Sequence, residues 1–241
     1  SESARGDFER FYGKARIPVF VIPFVPLTRP VDPLVVDQVG GKYSLPDHYF
    51  YIPNQFWGHK NHKLVIEAAL LLKAEGLDVN LVFTGGAQDY RHSGHYASLV
   101  ERASGLCVHV RFLGVVPYED VLALMERAIA VINPSLFEGW STTVEEARNL
   151  GKTILLSDID VHREQAPPRG VYFNPDDSRQ LAGKMRQTWI GFDGSREIQM
   201  RRMHVPDVAA RRQLFGAAFQ SAVLAVHKGL RSIASEKEAV R

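Results

Sequence analysis

Two carboxylates with seven residues between them, Glu138 and Glu146, stand in the segment Asn133-Pro-Ser-Leu-Phe-Glu138-Gly139-Trp140-Ser141-Thr142-Thr143-Val144-Glu145-Glu146-Ala147. The run Ala130–Asn133 reads as a strand. The loop after it carries Gly139 and then Ser141, Thr142 and Thr143, any of which can cap a helix. A helix entered this way turns free N–H groups and the positive end of its dipole toward the loop, which suits an anion such as a pyrophosphate. Glu138 enters the loop and Glu146 falls in the first or second helical turn, so both can face one cleft. Each carboxylate offers two acceptor oxygens, a match for vicinal hydroxyls of a sugar or ribose. The plainer reading is a solvated loop Glu138 and a Glu146 that complements the helix dipole.

Histidines raise a second chemistry, metal binding. His59 and His62 lie three apart in a loop entering a helix, with no Asp or Glu companion, so no structural or catalytic metal is expected there. His92 and His95 fall in the polar loop Ala87–His95 and are expected to be solvated. Cys107 is the only cysteine, which excludes an intrachain disulfide and a cysteine-based metal site. Within Leu106-Cys107-Val108 it reads as a small buried hydrophobe.

Alternating elements must position these groups. The runs Val19–Ile22, Tyr49–Ile52, Asn80–Thr84, His109–Leu113, Ala130–Asn133, Thr153–Ser157 and Val171–Phe173 read as strands. Most are rich in β-branched or aromatic residues and end in Gly, Pro, Asn or Ser, as buried parallel strands do. Between them Leu64, Val65, Ala68, Ala69 and Leu72 recur at helical spacing. So do Val121, Leu122, Leu124, Met125 and Ala128 after Pro117, with Glu119 and Asp120 suited to a first turn. The alternation predicts an α/β fold with a Rossmann-like, doubly wound parallel sheet of five or six strands.

The ends differ. Residues 1–16 read as a charged helix, Pro23 to Pro33 as a proline-punctuated connector, and Asp207–Leu230 as one long helix with apolar Val208, Leu214, Phe215, Ala218, Val223 and Val226. These arms either cover the sheet edges or pack against something outside the chain.

Composition narrows the partners. Of 241 residues 45% are hydrophobic and 23% charged, ordinary for a globular protein and ample for a core. A formal charge of +2 gives no case for a nucleic-acid partner. No stretch approaches the ~20 apolar residues of a membrane span, and Ser1-Glu2-Ser3-Ala4-Arg5 does not read as a signal peptide, so a cytoplasmic location is expected. Arg201-Arg202 and Arg211-Arg212 read as a solvated face that could also make a peripheral contact with anionic lipid or an acidic partner.

The Glu138-x7-Glu146 pair resembles the Glu-x7-Glu signature of the retaining GT-B glycosyltransferases of family 4 (glycosyl transferases group 1). The surrounding Pro-Ser-x-Phe-Glu-Gly-Trp…Val-x-Glu-Ala is similar to that family's wording, and the resemblance extends over roughly residues 17–175. It implies the C-terminal, donor-binding half of a GT-B fold. Glu138 would contact the transferred sugar near its reacting carbon, and Glu146 the ribose hydroxyls. The amides of Ser141, Thr142 and Thr143, in the loop that holds Gly139, would grip the pyrophosphate.

Other matching segments extend the site. In Pro53-Asn54-Gln55-Phe56-Trp57-Gly58-His59-Lys60-Asn61-His62-Lys63 the family supplies an Arg and a Lys for the diphosphate. Lys60 matches the Lys, with Asn61 capping the next helix. Asn54-Gln55 replaces the family's Gly-Arg, and Gln55 can donate hydrogen bonds without bringing charge. Gly85, in Phe83-Thr84-Gly85-Gly86, allows close approach of a ligand or serves a turn. Gly114 and Val115, in Phe112-Leu113-Gly114-Val115-Val116, resemble the segment whose backbone faces the nucleotide base. Asp160 stands where the family has a proline, before a short helix that faces the cleft.

The reaction so implied is transfer of a hexosyl group, with retention, from a nucleotide sugar to a glycan, lipid or other acceptor. Glu138 and Lys60 are then the catalytic candidates. Lys60 and the helix amides neutralise the departing diphosphate, so no metal or other cofactor is expected. Residues 1–27 resemble a connector from a missing N-terminal acceptor-binding domain, 28–206 the Rossmann-like core, and 207–241 the helix that crosses back. Alone, the chain is expected to be inactive, and its C-terminal helix could make a homo-oligomeric contact. The alternatives are half of a sugar-nucleotide epimerase and a non-catalytic nucleotide-binding domain. A dinucleotide oxidoreductase fits poorly, since Pro53-Asn54-Gln55-Phe56 stands where Gly-x-Gly-x-x-Gly would be.

Overall fold

The computed structural model describes residues 1–13, 18–28, 30–89, 91–204 and 207–239, without the side chains of 107, 108 and 228–239. The expectation for Cys107 therefore lies outside the described side chains. Two compact units result: Leu27–Pro206, and Ser1–Pro26 with Asp207–Arg241.

Among the described residues the larger unit holds six strands: β1 Phe50–Pro53, β2 Leu81–Thr84, β3 Val110–Phe112, β4 Ala130–Asn133, β5 Ile154–Ser157 and β6 Gly170–Phe173. They form one sheet in the order β3-β2-β1-β4-β5-β6, parallel throughout, with Phe50 opposite Leu81 on one side and Ala130 on the other. Side chains alternate across such a sheet. Phe50 and Ile52 pack on one face with Leu64 and Val65 of α3 (His62–Ala74), Leu99 of α4 (His95–Ala103) and Leu181 of α8 (Ser178–Ile190). Tyr49 and Tyr51 pack on the other with Val39 of α2 (Pro33–Lys42), Leu124 of α5 (Tyr118–Arg127) and Val144 of α6 (Thr142–Asn149). Both tyrosines are fully buried, and each hydroxyl is satisfied, by the Leu124 carbonyl at 2.9 Å and by Thr84 Oγ1 at 2.7 Å. The sheet is the doubly wound one that the strand–helix alternation predicts. Its order reverses between β1 and β4, which opens a crevice beyond their carboxyl ends.

Besides α4 and α8, helices α2 and one after α8 match no element read from the sequence. Helix α2 starts where the sequence reads as connector: Pro33 occupies its first turn and Asp32 accepts from the Leu34 N–H at 2.9 Å, a cap that ordinary helix-start rules recognise. Helix α9 (Gly194–His204) is tied to the amino-terminal ends of the strands by charge. Buried Lys152 donates to the Glu126 carbonyl and to Glu197 Oε1, both at 3.1 Å, and Arg169 brackets Glu197 at 3.2 and 2.5 Å.

The smaller unit contains α1 (Glu2–Tyr12) and α10 (Val208–Ala239), longer than the predicted Asp207–Leu230. Residues 14–16 of the predicted first helix lie outside the described residues. The predicted strand Val19–Ile22 does not form. Among the described residues the segment pairs with no strand, and Val19 and Phe20 stay exposed, so its β-prone residues find no ladder to join. On α10, Leu214, Phe219, Val223 and Val226 are exposed. Among the described residues no helix is long and apolar enough to cross a membrane.

Candidate functional site

A cleft of about 380 Å³ lies at the β1/β4 reversal. The residues after β1 (Pro53, Asn54, Gln55, Trp57, Lys60), at the end of β2 (Thr84, Gly85), after β3 (Val115, Val116) and after β4 (Glu138, Trp140, Ser141, Thr142, Thr143) line it, with Val121 and Glu146. Of the residues singled out from sequence, Lys60, Glu138, Glu146, Ser141, Thr142, Thr143, Gln55, Gly85 and Val115 thus share one space. Gly139 and Gly114 do not line it. Gly139 sits exposed in the loop. Gly114 turns with φ +69° and accepts from the Gly85 N–H at 2.8 Å, so it shapes the wall from behind.

The carboxylates are held differently. Glu138 Oε1 receives Lys60 Nζ at 2.6 Å and Ser135 Oγ at 2.7 Å. Lys60 ends the 3-10 turn Gly58–Lys60, whose first N–H is caught by Asp89 Oδ2 at 3.2 Å. Glu146, in the second turn of α6, is nearly buried. Its Oε1 accepts from the Tyr118 hydroxyl at 2.7 Å. Burial pushes its carboxyl above the ordinary range, and the Tyr118 bond partly opposes that.

Helix α6 does meet the cleft with its amino end, with a correction. Ser141 is the N-cap, but its side chain does not cap; its Oγ accepts from Asn133 Nδ2 at 2.7 Å. Its amide, assigned above to the pyrophosphate, donates instead to Gln165 Oε1 at 3.2 Å. Gln165 Nε2 returns to the Ser141 carbonyl at 2.9 Å and to Glu145 Oε1 at 3.1 Å. That clamp comes from α7 (Asp160–Gln165), which braces the helix end and contributes no lining to the cleft. The first-turn N–H groups of Thr142 and Thr143 meet no acceptor among the described residues, as expected for a helix start.

Three further expectations change. Gln55 Oε1 accepts from the Gly86 N–H at 2.6 Å, so the side chain stabilises its own loop as well as facing the cleft. Asn61 stands at the N-cap of α3 in the left-handed region but makes no cap bond; its Nδ2 donates to the Pro175 carbonyl at 2.9 Å. His95 is not a solvated loop residue: it opens α4, and its Nε2 is buried, while His92 is exposed beside Asp89. His62 is buried and stacked on Phe56 at 4.6 Å, and burial pushes its pKa down to about 3, keeping the ring neutral. Among the described residues no group of three or more His, Cys, Asp or Glu could hold a metal.

Sequence reading passed over Ser135, Tyr118 and Gln165, whose partners at the site lie 3, 28 and 24 residues away. Only Ser135, inside the Glu138 segment, left a local signal.

What the arrangement offers is a cation, two carboxylates and unpaired amides around one crevice, suited to an anionic ligand bearing hydroxyls. The family model described as glycosyl transferases group 1 matches residues 44–189. The O-antigen chain mannosyltransferase RfbU of Salmonella typhimurium is 29% identical over 135 residues, covering 55% of this chain and 36% of its own length. Anabaena HepE, solved with UDP and glucose, superposes with a TM-score of 0.73 at 17% identity, over 92% of this chain and 62% of that one. Sucrose-phosphate synthase from Thermosynechococcus elongatus gives 0.66 at 19% identity, over 95% and 57%. The Rossmann-like sheet is therefore that of GT-B glycosyltransferases, and the chain spans about 36–42% of the length of the curated relatives it matches. The chain belongs to the group 1 glycosyl transferases.

Proposed function

We propose that this chain is the donor-binding domain of a retaining hexosyltransferase, taking a nucleotide sugar and relying on a separate domain for the acceptor. The observation that carries this reading is the convergence of Lys60, Glu138, Glu146 and the Thr142 and Thr143 amides on one cleft at the β1/β4 reversal. In this reading Glu146 takes the ribose hydroxyls and Glu138 a hydroxyl of the transferred sugar. The diphosphate lies between Lys60 and the start of α6. As the glycosidic bond to the diphosphate breaks, charge gathers on the leaving oxygens, where Lys60 and the amides already stand. Because those groups supply the positive charge, the reading needs no divalent metal.

Calorimetry on the 241-residue chain tests it, using UDP, GDP and ADP, their nucleosides, and NAD, each with magnesium and with EDTA. One nucleoside diphosphate should bind at least ten-fold tighter than its nucleoside, equally in both buffers. With acceptor but no second domain, no sugar should be transferred; with that domain supplied, the product should keep the donor's anomeric configuration by NMR. A preference for NAD, equal binding of nucleoside and diphosphate, or sustained transfer by this chain alone would overturn the reading.

A further inference from the structure

Tyr118 and Glu146 belong to different helices, 28 residues apart, and meet as donor and acceptor at 2.7 Å. Tyr118 is the first residue of α5, directly after Pro117 at the N-cap. Its ring is half exposed and lines a second cavity, of about 510 Å³, together with Leu27, Pro30, Val31 and Leu122. Its hydroxyl reaches back to a carboxylate of the donor cleft. That carboxylate is 5% exposed, and among the described residues the hydroxyl is the only hydrogen-bond partner it has. A buried carboxylate without a cation depends on such bonds for its charge and its orientation. The bond fixes Oε1 and leaves Oε2 for the cleft that Glu146 lines.

We propose that Tyr118 is the positioning residue of the ribose subsite: by holding Glu146 Oε1 it presents Oε2 to the vicinal hydroxyls of the nucleotide, and so sets the preference for ribose over deoxyribose. This inference rests on the donor-site reading above and adds to it a residue that never touches the ligand's phosphates. A ring that merely filled space beside α5 would work equally well as phenylalanine. A ring that acts through its hydroxyl would not.

The test is calorimetry on the full chain with whichever of UDP, GDP and ADP binds tightest, and with its 2′,3′-dideoxy counterpart. Wild type should prefer the ribonucleotide by roughly ten-fold or more, the scale of a hydrogen bond to a charged acceptor. Tyr118→Phe should cut that preference to about three-fold or less, with dideoxy affinity within about two-fold of wild type and a thermal midpoint lowered by only a few degrees, as loss of one hydrogen bond to a buried carboxylate requires. In a Glu146→Ala background the same substitution should change nothing further, since its only route to the ligand is gone. An undiminished ribose preference in Tyr118→Phe, or an equal loss for both ligands, overturns the role of Tyr118 and leaves the donor site standing. A wild type that binds no nucleotide, or ignores the ribose hydroxyls, overturns the donor-site reading and this inference with it.

Discussion

Lys60 Nζ lies 2.6 Å from Glu138 Oε1, although 78 residues separate the two and they follow different strands. Both side chains are largely withdrawn from water, at 13% and 9% exposure. Among the described residues Lys60 is the one cation that lines the cleft, and it is already paired. A diphosphate that binds Lys60 shares it with Glu138 and lies close to a negative carboxylate. Glu138→Gln keeps the shape and the Ser135 bond but removes that charge. It should bind nucleoside diphosphate about 3- to 30-fold tighter, since the repulsion and the competing ion pair both vanish. Lys60→Ala should weaken the diphosphate by roughly 10- to 100-fold and the nucleoside hardly at all, with the loss shrinking as salt rises. Titration calorimetry decides both; a Glu138→Gln chain that binds no better would show that the bridge does not oppose the ligand.

Burial of the Glu146 carboxylate opposes stability at neutral pH. Its carboxyl is raised by burial, the Tyr118 bond opposing. An acid with a higher pKa folded than unfolded holds its proton longer in the native state. Stability then falls as pH rises from the unfolded value through the folded one, and the full cost is present above it. Glu146→Gln still accepts from Tyr118 and carries no charge. It should be more stable than wild type at pH 7.5 by about 0.5–2 kcal/mol, with the gap closing near pH 4. The same substitution should weaken the ribonucleoside diphosphate by about 1.5–3 kcal/mol. Urea melts at the two pH values check the first half. A gap that stays constant with pH would mean that the charge costs nothing where it sits.

The contrast between Glu146 and Tyr118 shows how much the sequence made legible. The carboxylates and the helix start lie within one strand–loop–helix unit, so their spacing alone brings them to a common edge. Lys60 stands out only through its likeness to a family segment, and the structure sets it in the cleft lining with Glu138 and Glu146. Tyr118 and Gln165 had no such signal, because they meet Glu146 and Ser141 only through the order of the strands. Ser141 shows the reverse error: a helix-start amide is a fair anion donor until a side chain from elsewhere takes it. Val19–Ile22 had strand-forming residues and, among the described residues, no strand to join, and α2 had its cap in plain view among prolines that read as connector. Local pattern decides an element when its partners are local too.

Gly85 and Gly139 were both assigned to the site, and the structure separates them. Gly85 has φ +141°, and a Cβ there would stand 2.3 Å from the Asn54 carbonyl oxygen, at the join of the β1 and β2 loops. Gly139 has open space around its missing Cβ. Gly85→Ala should therefore cost about 2–4 kcal/mol of stability and degrade nucleotide binding, because the Asn54–Gln55 wall must move. Gly139→Ala should stay within about 0.5 kcal/mol of wild type. Equal tolerance in thermal melts would mean that the Gly85 backbone relaxes without disturbing Asn54.

At the other end of the sheet, Lys152 is fully buried and its pKa is pushed down to about 8 by burial, with Glu197 opposing. The unfolded chain keeps the proton up to about 10.5. Between those values the unfolded state binds more protons than the native one, so this group makes stability rise with pH across the window. Below it, the native state carries a buried ammonium held by the Glu126 carbonyl and Glu197. Lys152→Met keeps the length and loses the charge, and Glu197 retains both bonds from Arg169. The variant should match or exceed wild type at pH 7.5, as apolar replacements of buried ions often do. The difference between the two chains should then shift in favour of wild type by about 1–2 kcal/mol on going to pH 9.5. Tyrosine ionisation acts equally on both chains and cancels in that difference. Urea melts of both chains at the two pH values measure it. If the difference does not move with pH, Lys152 keeps an ordinary proton affinity in the folded chain.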